Sequence, residues 1–259
     1  RRGVAVSWRA DTDRYRAPLS VDHTAGGAGT IDASGALAAS WDHFWANVQT
    51  TGNDVRITEA DGITLVTFDL QSFNATTRVC TVEIDNFTPP GAGMLCLWAY
   101  WGDAALASGV TAFVPVAPKA LHVDVGQPAS PLVVVRTEQR PQDTTPLSVI
   151  AKTTDSSLYI WWDFSGLLQR RLRQSQKSSE LECISYVSGV TVALNGADQA
   201  SMKDVTKTRF EGGPDGRIYV KTYLAGGVTN TDYIATVTVV TTESRTLAGK
   251  AKIFVRDMS

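Results

Sequence analysis

The segment MLCLWAYW, residues 94–101, decides the fold because it contains no charged side chain and is almost wholly apolar. In a β-strand, successive side chains alternate between two faces. One face then carries Met94, Cys96, Trp98 and Tyr100, and the other carries Leu95, Leu97, Ala99 and Trp101. Two apolar faces are typical of a strand that is covered on both sides. We therefore predict that this segment is a central core strand.

The aromatic residues of this segment also allow a second interpretation. Aromatic rings pair well with flat apolar surfaces, such as the faces of sugars. Under this alternative, a carbohydrate-binding module stacks on a host surface glycan through Trp45, Trp98, Tyr100 and Trp101. Such a platform requires two coplanar rings that are open to solvent.

Alternation with a period of two continues through most of the chain and predicts further strands. In the first half they are APLSVDH (17–23), DVRIT (54–58), TLVTFDL (64–70) and TRVCTVEI (77–84), besides VAVSW (4–8). In the second half they are LSVIAK (147–152), SLYIWWDF (157–164), LECISYV (181–187), VTVAL (190–194), KDVTKTRF (203–210), RIYVKTYL (217–224), DYIATVTVVTT (232–242) and GKAKIFVRD (249–257). The best helix candidate is ALAASWDHFWANVQ (36–49), whose apolar residues recur at helical spacing.

These strands predict a mostly β fold of two β-sandwich domains. Seven or eight short strands after residue 145 are typical of an immunoglobulin-like sandwich, although the Cys…Trp…Cys spacing of antibody domains is missing. Prolines are frequent before that point, and residues that precede proline favour extended conformations. We predict a β-sandwich at 1–117, a stiff linker with a linking strand at 118–145 and the second sandwich at 146–259.

Composition narrows the classes of function. Residues 1–118 carry seven Arg, no Lys and twelve acids, a net charge of −5, which leaves +3 for residues 119–259. Neither half is basic enough to predict nucleic-acid binding, and no stretch approaches the ~20 apolar residues of a membrane span. Three cysteines without a CxxC motif do not suggest a disulfide framework. No nucleophile–base pattern and no metal-ligand or cofactor motif is present, so we expect no enzymatic activity, no metal and no cofactor.

Four carboxylates in GNDVRITEADGITLVTFDL (52–70) are the strongest candidates for a chemical site. The Asp-Gly pair between alternating runs predicts a β-hairpin, with Glu59 and Asp61 at its turn and Asp54 on its solvated face. A calcium loop is an alternative, but the bidentate Glu that such loops need further on is missing. A hydrolase that uses Asp54 and Asp69 is the weakest alternative, since neither residue has the apolar surroundings that raise the pKa of a general acid.

Surfaces for protein partners are the remaining candidates. The strand RIYVKTYL places Tyr219, Lys221 and Tyr223 on one face, which we predict to be an exposed interface. The basic segment LLQRRLRQSQK (167–177), with Arg170, Arg171 and Arg173, is interpreted as a solvated loop or as a docking site for an acidic neighbour. In SLYIWWDF one face must be core, and the other is a candidate interface because Trp and Tyr are enriched there.

Residues 8–109 resemble a jelly-roll-like β domain of unknown function that occurs in bacterial surface proteins and phage proteins. The resemblance rests on Trp8, YRAPLSVD (15–22), DVRITEADGITL (54–65) and LCLWAYWGDAA (95–105). It implies a sandwich without established catalytic residues.

Residues 145–257 resemble the immunoglobulin-like β-sandwich of tailed-phage fibre–tail adaptor proteins. The matching segments are YIWWDFSGLL (159–168), SGVTVAL (188–194), AGGVTNTDY (225–233) and YIATVTVVTTESRTLAGKAKIFVRD (233–257). The resemblance implies a non-enzymatic structural protein of a tailed bacteriophage, acting as a tail, fibre-adaptor, neck or decoration component. Its expected partners are other virion proteins and copies of itself, and its expected location is the virion, assembled in the host cytoplasm.

Overall fold

The computed structural model describes residues 15–23, 29–32, 39, 41–103, 133–136, 148–172, 183–212 and 218–256. Most of these residues lie in β-strands. The strands of the first half are β1 (Tyr15–His23), β2 (Gly29–Asp32), β3 (Arg56–Thr58), β4 (Phe68–Leu70), β5 (Val82–Phe87) and β6 (Gly93–Trp101). Those that follow are β7 (Val133–Arg136), β8 (Ser148–Thr153), β9 (Leu158–Asp163), β10 (Ile184–Leu194), β11 (Ala197–Asp198), β12 (Lys203–Gly212), β13 (Ile218–Leu224), β14 (Thr231–Thr241) and β15 (Thr246–Arg256). The helices are α1 (Asp42–Asn47) and α2 (Ser165–Leu172). The predicted mostly β, sandwich-type fold is confirmed.

The strands form three sheets. The largest runs β1-β6-β10-β14-β15-β8, with β3 also paired to β6 and β11 to β10. A second sheet runs β12-β13-β9-β7, and a third runs β2-β5-β4. The pairings β15–β8 and β7–β9 are parallel, whereas the others are antiparallel. At Ser20, β1 meets the second sheet, because the Phe210 backbone N–H donates to the Ser20 hydroxyl at 2.7 Å.

Strand β6 faces two hydrophobic cores. Its Leu95, Leu97, Ala99 and Trp101 belong to a cluster built from the first half of the chain. Its Met94 and Cys96 belong to a second cluster, built mainly from β9, β10, β13, β14 and β15. All nine residues of β6 are buried. The predicted central strand, covered on both sides, is confirmed.

Strands from both predicted domains share the largest sheet. The link is a short antiparallel pairing in which Leu95 and Met94 of β6 lie opposite Tyr186 and Val187 of β10. The proposed boundary at 118–145 remains a prediction, and β7 is the part of it that the structure describes. The segment 4–8 lies outside the described residues.

Several element bounds differ from the prediction. The helix predicted over 36–49 is formed only as α1, six residues long, while residues 36–38 and 40 lie outside the described residues. The two strands predicted over 181–194 are one strand, β10, with irregular register on β14 after Ile184 and after Val187. Gly189 between them is accommodated within the strand, so the glycine does not end it.

The predicted hairpin at residues 54–70 is wrong beyond its turn. Asp61 and Gly62 do form the turn: Gly62 has φ +76°, and the Asp61 carboxylate accepts hydrogen bonds from the backbone N–H groups of Ile63 and Thr64. The two arms pair only at the bridge between Thr58 and Leu65. Strand β3 then pairs with β6, and β4 pairs with β5. The two arms separate because each forms a three-residue pairing with another strand, whereas the pairing between the arms is a single bridge.

Candidate interaction surface

One outer face of the four-stranded sheet carries tyrosines and lysines in mutual contact. We call Tyr159, Lys207, Lys221 and Tyr223 the tyrosine–lysine surface. Tyr159 and Tyr223 are opposite each other in the pairing of β9 with β13. Lys221 lies two residues from Tyr223 on β13, so it points to the same face. The alternate residues Ile160, Trp162, Val220 and Leu224 point inward and belong to the core.

The side chains of this surface hold one another in place. The rings of Tyr159 and Tyr223 pack edge to face, with centroids 5.2 Å apart. The Lys221 ammonium lies 4.4 Å from the Tyr159 centroid, and the Lys207 ammonium lies 4.0 Å from the Tyr223 centroid. Both distances are within the range of a cation–π interaction, about 6 Å. The surface is therefore ordered before any partner arrives.

Two carboxylates fix the lysines. Glu211 accepts a hydrogen bond from the Lys221 ammonium at 2.7 Å, and Asp204 lies 3.2 Å from the Lys207 ammonium. The hydrogen bond with Asp204 raises the pKa of Lys207 above its ordinary value. The side chains of Lys221 and Glu211 are 12% and 5% exposed, whereas Lys207 is 43% exposed. Lys207 is therefore the cation that this surface offers to solvent.

The surface is exposed at one end and buried at the other. Tyr159 is 37% exposed, and Val205 of β12 is 48% exposed. Trp161 and Tyr219 continue the same face, with ring centroids 5.2 Å apart, but they are 2% and 7% exposed. Of the three residues predicted on β13, Lys221 and Tyr223 are partly buried and Tyr219 is buried.

Sequence reasoning did not identify Lys207 as part of this surface. The register between β12 and β13 is irregular between Asp204 and Arg209. Such an irregularity breaks the period of two, so counting along β12 does not place Lys207 beside Tyr223. The signal available in the sequence was the pair of lysines in KDVTKTRF, Lys203 and Lys207.

The predicted basic loop is partly helical. Residues 165–172 form α2, and the Ser165 backbone N–H donates to the Asp163 carboxylate at 2.9 Å where the helix begins. The loop prediction is therefore wrong for Arg170 and Arg171, which lie on this helix. Arg173 lies outside the described residues.

The four aromatic residues of the glycan alternative are core residues. Trp98, Tyr100 and Trp101 are at most 1% exposed, and Trp45 is 6% exposed. Trp45 and Trp101 pack in the cluster of the first half, and both contact Phe44. Among these four residues no ring is open to solvent for stacking on a sugar.

The carboxylates of residues 52–70 have separate structural surroundings. Asp54 is fully buried, and its two oxygens accept hydrogen bonds from the backbone N–H groups of Gln49, at 2.9 Å, and Gly102, at 2.8 Å. The solvated position predicted for Asp54 is wrong, because this carboxylate closes two backbone loops. Asp69 is exposed on β4. Burial and the nearby charge of Asp61 raise the pKa of Glu59.

The described part of the chain contains no group of three or more His, Cys, Asp or Glu side chains that could hold a metal ion. In the same part, no helix combines the length and the hydropathy that a membrane crossing needs. Cys80, Cys96 and Cys183 are free and buried. The arrangement defines a mostly β protein with an ordered aromatic and basic surface.

No protein-family model matches the sequence, and no curated protein matches it either.

Proposed function

We propose that the chain is a non-enzymatic structural protein that acts through protein–protein contacts in the virion of a tailed bacteriophage. The role is that of a tail, fibre-adaptor, neck or decoration component. The proposal includes the finer division into a jelly-roll-like and an immunoglobulin-like domain. Its support is the resemblance of the sequence segments quoted above, together with the tyrosine–lysine surface.

The tyrosine–lysine surface is the observation that carries the proposal. Tyrosine is enriched at protein interfaces, because its ring supplies a large contact area at low entropic cost. Here Tyr159, Tyr223 and Lys207 are ordered by mutual contacts, so a partner does not have to order them. The acidic first half of the chain, with its net charge of −5, offers a complementary surface on a second copy.

Association of the purified chain tests the interface. We expect the intact protein to form oligomers, or to bind a virion protein, in light scattering coupled to gel filtration. The double variant Tyr159→Ser, Tyr223→Ser should weaken that association at least tenfold. Val228→Ser is the matched control, since Val228 is also an exposed apolar residue, 64% exposed, but lies outside both the tyrosine–lysine surface and the acidic first half of the chain.

The location is tested separately. Particles purified from a bacterium that encodes the chain should contain it in a fixed ratio to the major structural proteins, as measured by quantitative mass spectrometry. Absence of the chain from such particles would remove the virion proposal. Unchanged association of the double tyrosine variant would remove this surface as the interface.

A further inference from the structure

Strand β6 has a gap in the pairing of one of its edges. Along one edge it pairs with β1 over its full length, residues 93–101. Along the other edge it pairs with β10 at Met94 and Leu95, and with β3 from Trp98 to Tyr100. Between these two pairings, residues 96–97 have no strand partner on this edge among the described residues.

This gap leaves backbone polar groups to be satisfied. Alternate residues of a strand direct their N–H and C=O groups to opposite edges. One of Cys96 and Leu97 therefore directs its N–H and C=O into the gap. Buried backbone groups of this kind are nearly always hydrogen-bonded, to a side chain or to ordered water where no strand is present.

A cavity of about 350 Å³ occupies the gap. Leu95, Cys96 and Leu97 of β6 form one wall. The opposite wall includes Ser185, where the register of β10 on β14 is irregular and the pairing of β10 with β6 has ended. Bulges of this kind frequently lie beside binding sites, because they redirect a strand and its side chains. The volume falls within the usual range for small-molecule sites, ~300–1,000 Å³.

The lining of the cavity is rich in hydroxyl groups. Seven of its fifteen described residues are Ser, Thr or Tyr, and Glu59 is the only charged one among them. The Thr242 hydroxyl accepts a hydrogen bond from the Cys183 backbone N–H, which fixes its orientation. Phe87 and Pro90 add apolar surface to the same lining. This lining can hydrogen-bond a small neutral molecule that carries several hydroxyl groups, through its own hydroxyls and its one carboxylate. Its few apolar patches can contact the carbon atoms of such a molecule.

We propose that this cavity binds a neutral monosaccharide unit, with its hydroxyl groups hydrogen-bonded to Ser185, Glu59 and the backbone of residues 96–97 on the edge that has no strand partner. The apolar side of the sugar ring would then contact Phe87 and Pro90. This site is separate from the four aromatic residues considered above for glycan stacking, and it does not rest on the virion proposal. The unit is either a free sugar or the end of a surface glycan, since both present the same chemistry.

Saturation-transfer NMR on the full chain tests the site, with D-glucose, D-galactose and N-acetyl-D-glucosamine as the probes. At least one of the three sugars should receive saturation from the protein. The variant Thr246→Trp, which places a large side chain at an exposed lining position, should abolish the signal. The control Thr191→Trp, at an exposed position on β10 outside the described lining, should retain it.

A conservative variant tests the carboxylate. Glu59→Gln keeps the shape of the side chain but removes its charge, so the Kd of the sugar should rise about tenfold. Glu243→Gln is the control, because Glu243 is an exposed carboxylate in the adjacent turn and is not among the described lining residues. A further experiment distinguishes the two sources of the sugar. If beads that display the sugar through a linker capture the chain, the ligand is the end of a glycan; if only the sugar in solution binds, the ligand is a free sugar.

Two results would overturn the proposal. One is the absence of saturation transfer to all three sugars. The other is a signal that Thr246→Trp leaves unchanged while circular dichroism shows the variant to be folded. Either result would leave the cavity as a site for ordered water.

Discussion

The guanidinium carbon of Arg16 lies 4.4 Å from the centroid of the Trp98 ring, and both side chains are almost completely buried. Arg16 also donates a hydrogen bond to the Tyr100 hydroxyl at 3.1 Å, and that hydroxyl donates to the Gly62 carbonyl at 2.7 Å. Burial lowers the pKa of Arg16, and the contacts with Tyr100 oppose that effect. This chain of contacts ties β1 and β6 to the turn after β3.

Arg16→Ala should lower the free energy of unfolding by about 2–4 kcal/mol. The variant loses a desolvated cation–π contact and leaves a cavity between β1 and β6. Denaturant titration measures the change. Arg78→Ala is the control, since the partner of Arg78 is the exposed Asp42 and surface pairs of this kind contribute less than about 1 kcal/mol. Equal losses in the two variants would contradict the role assigned to Arg16.

Gly93→Ala should destabilise the protein by about 3 kcal/mol or more. Gly93 has φ +148°, and a Cβ at this position would lie 2.1 Å from the Val187 carbonyl oxygen. The added methyl group would therefore force β6 away from β10. Gly189→Ala is the matched control, because a Cβ at Gly189 meets nothing within 4 Å, and its effect should stay within about 0.5 kcal/mol. Thermal unfolding compares the two, and similar midpoints would contradict the close approach of the strands.

Asp54→Asn should cost about 1–3 kcal/mol of stability. Each carboxylate oxygen of Asp54 accepts one backbone N–H, from Gln49 and from Gly102. An amide has only one oxygen, so one of these buried donors would be left unsatisfied. Asp69→Asn, at an exposed position on β4, should change stability by less than about 0.5 kcal/mol. A larger loss of stability in Asp69→Asn than in Asp54→Asn would show that the structural role assigned to the Asp54 carboxylate is wrong.

Cys80 and Cys96 should resist alkylation in the folded protein. Burial raises the pKa of Cys80 to about 11, and burial and the neighbouring Cys183 raise the pKa of Cys96. Because the thiolate is the reactive form, both thiols stay protonated and unreactive at pH 8. Iodoacetamide followed by mass spectrometry should show modification only after denaturation.

A cysteine introduced at the exposed position Thr191 serves as the control for this experiment. Thr191→Cys should be alkylated without denaturant, while Cys80 and Cys96 in the same molecule remain unmodified. Alkylation of Cys96 at the rate of the introduced thiol would contradict the burial of β6.

The sequence predicts the strands where alternation is strong, and it fails where a local signal competes with distant pairing. In residues 94–101 both faces are apolar, so a buried central strand is the only arrangement that covers them. The Asp61–Gly62 turn is equally readable, because the turn is made by adjacent residues. The separation of the two arms after that turn depends on partners tens of residues away, which no local pattern encodes.

In the tyrosine–lysine surface, too, the features set by local sequence could be predicted and those set by distant contacts could not. A period of two places Lys221 and Tyr223 together on β13, as predicted. The contribution of Lys207 depends on the irregular register of β12, and the burial of Tyr219 depends on what packs over that end of the sheet. The cavity beside Cys96 could not be predicted either, because it arises from a gap between three strands that are distant in sequence.

The position of β6 between two cores has a consequence for the motions of the protein. The backbone amides that it pairs with neighbouring strands can exchange with deuterium only when one of the two flanking cores opens, since its nine residues are buried. The slowest hydrogen exchange in the molecule should therefore occur in this strand. A change in the packing of either core should also alter the stability of the other core, because both pack against β6.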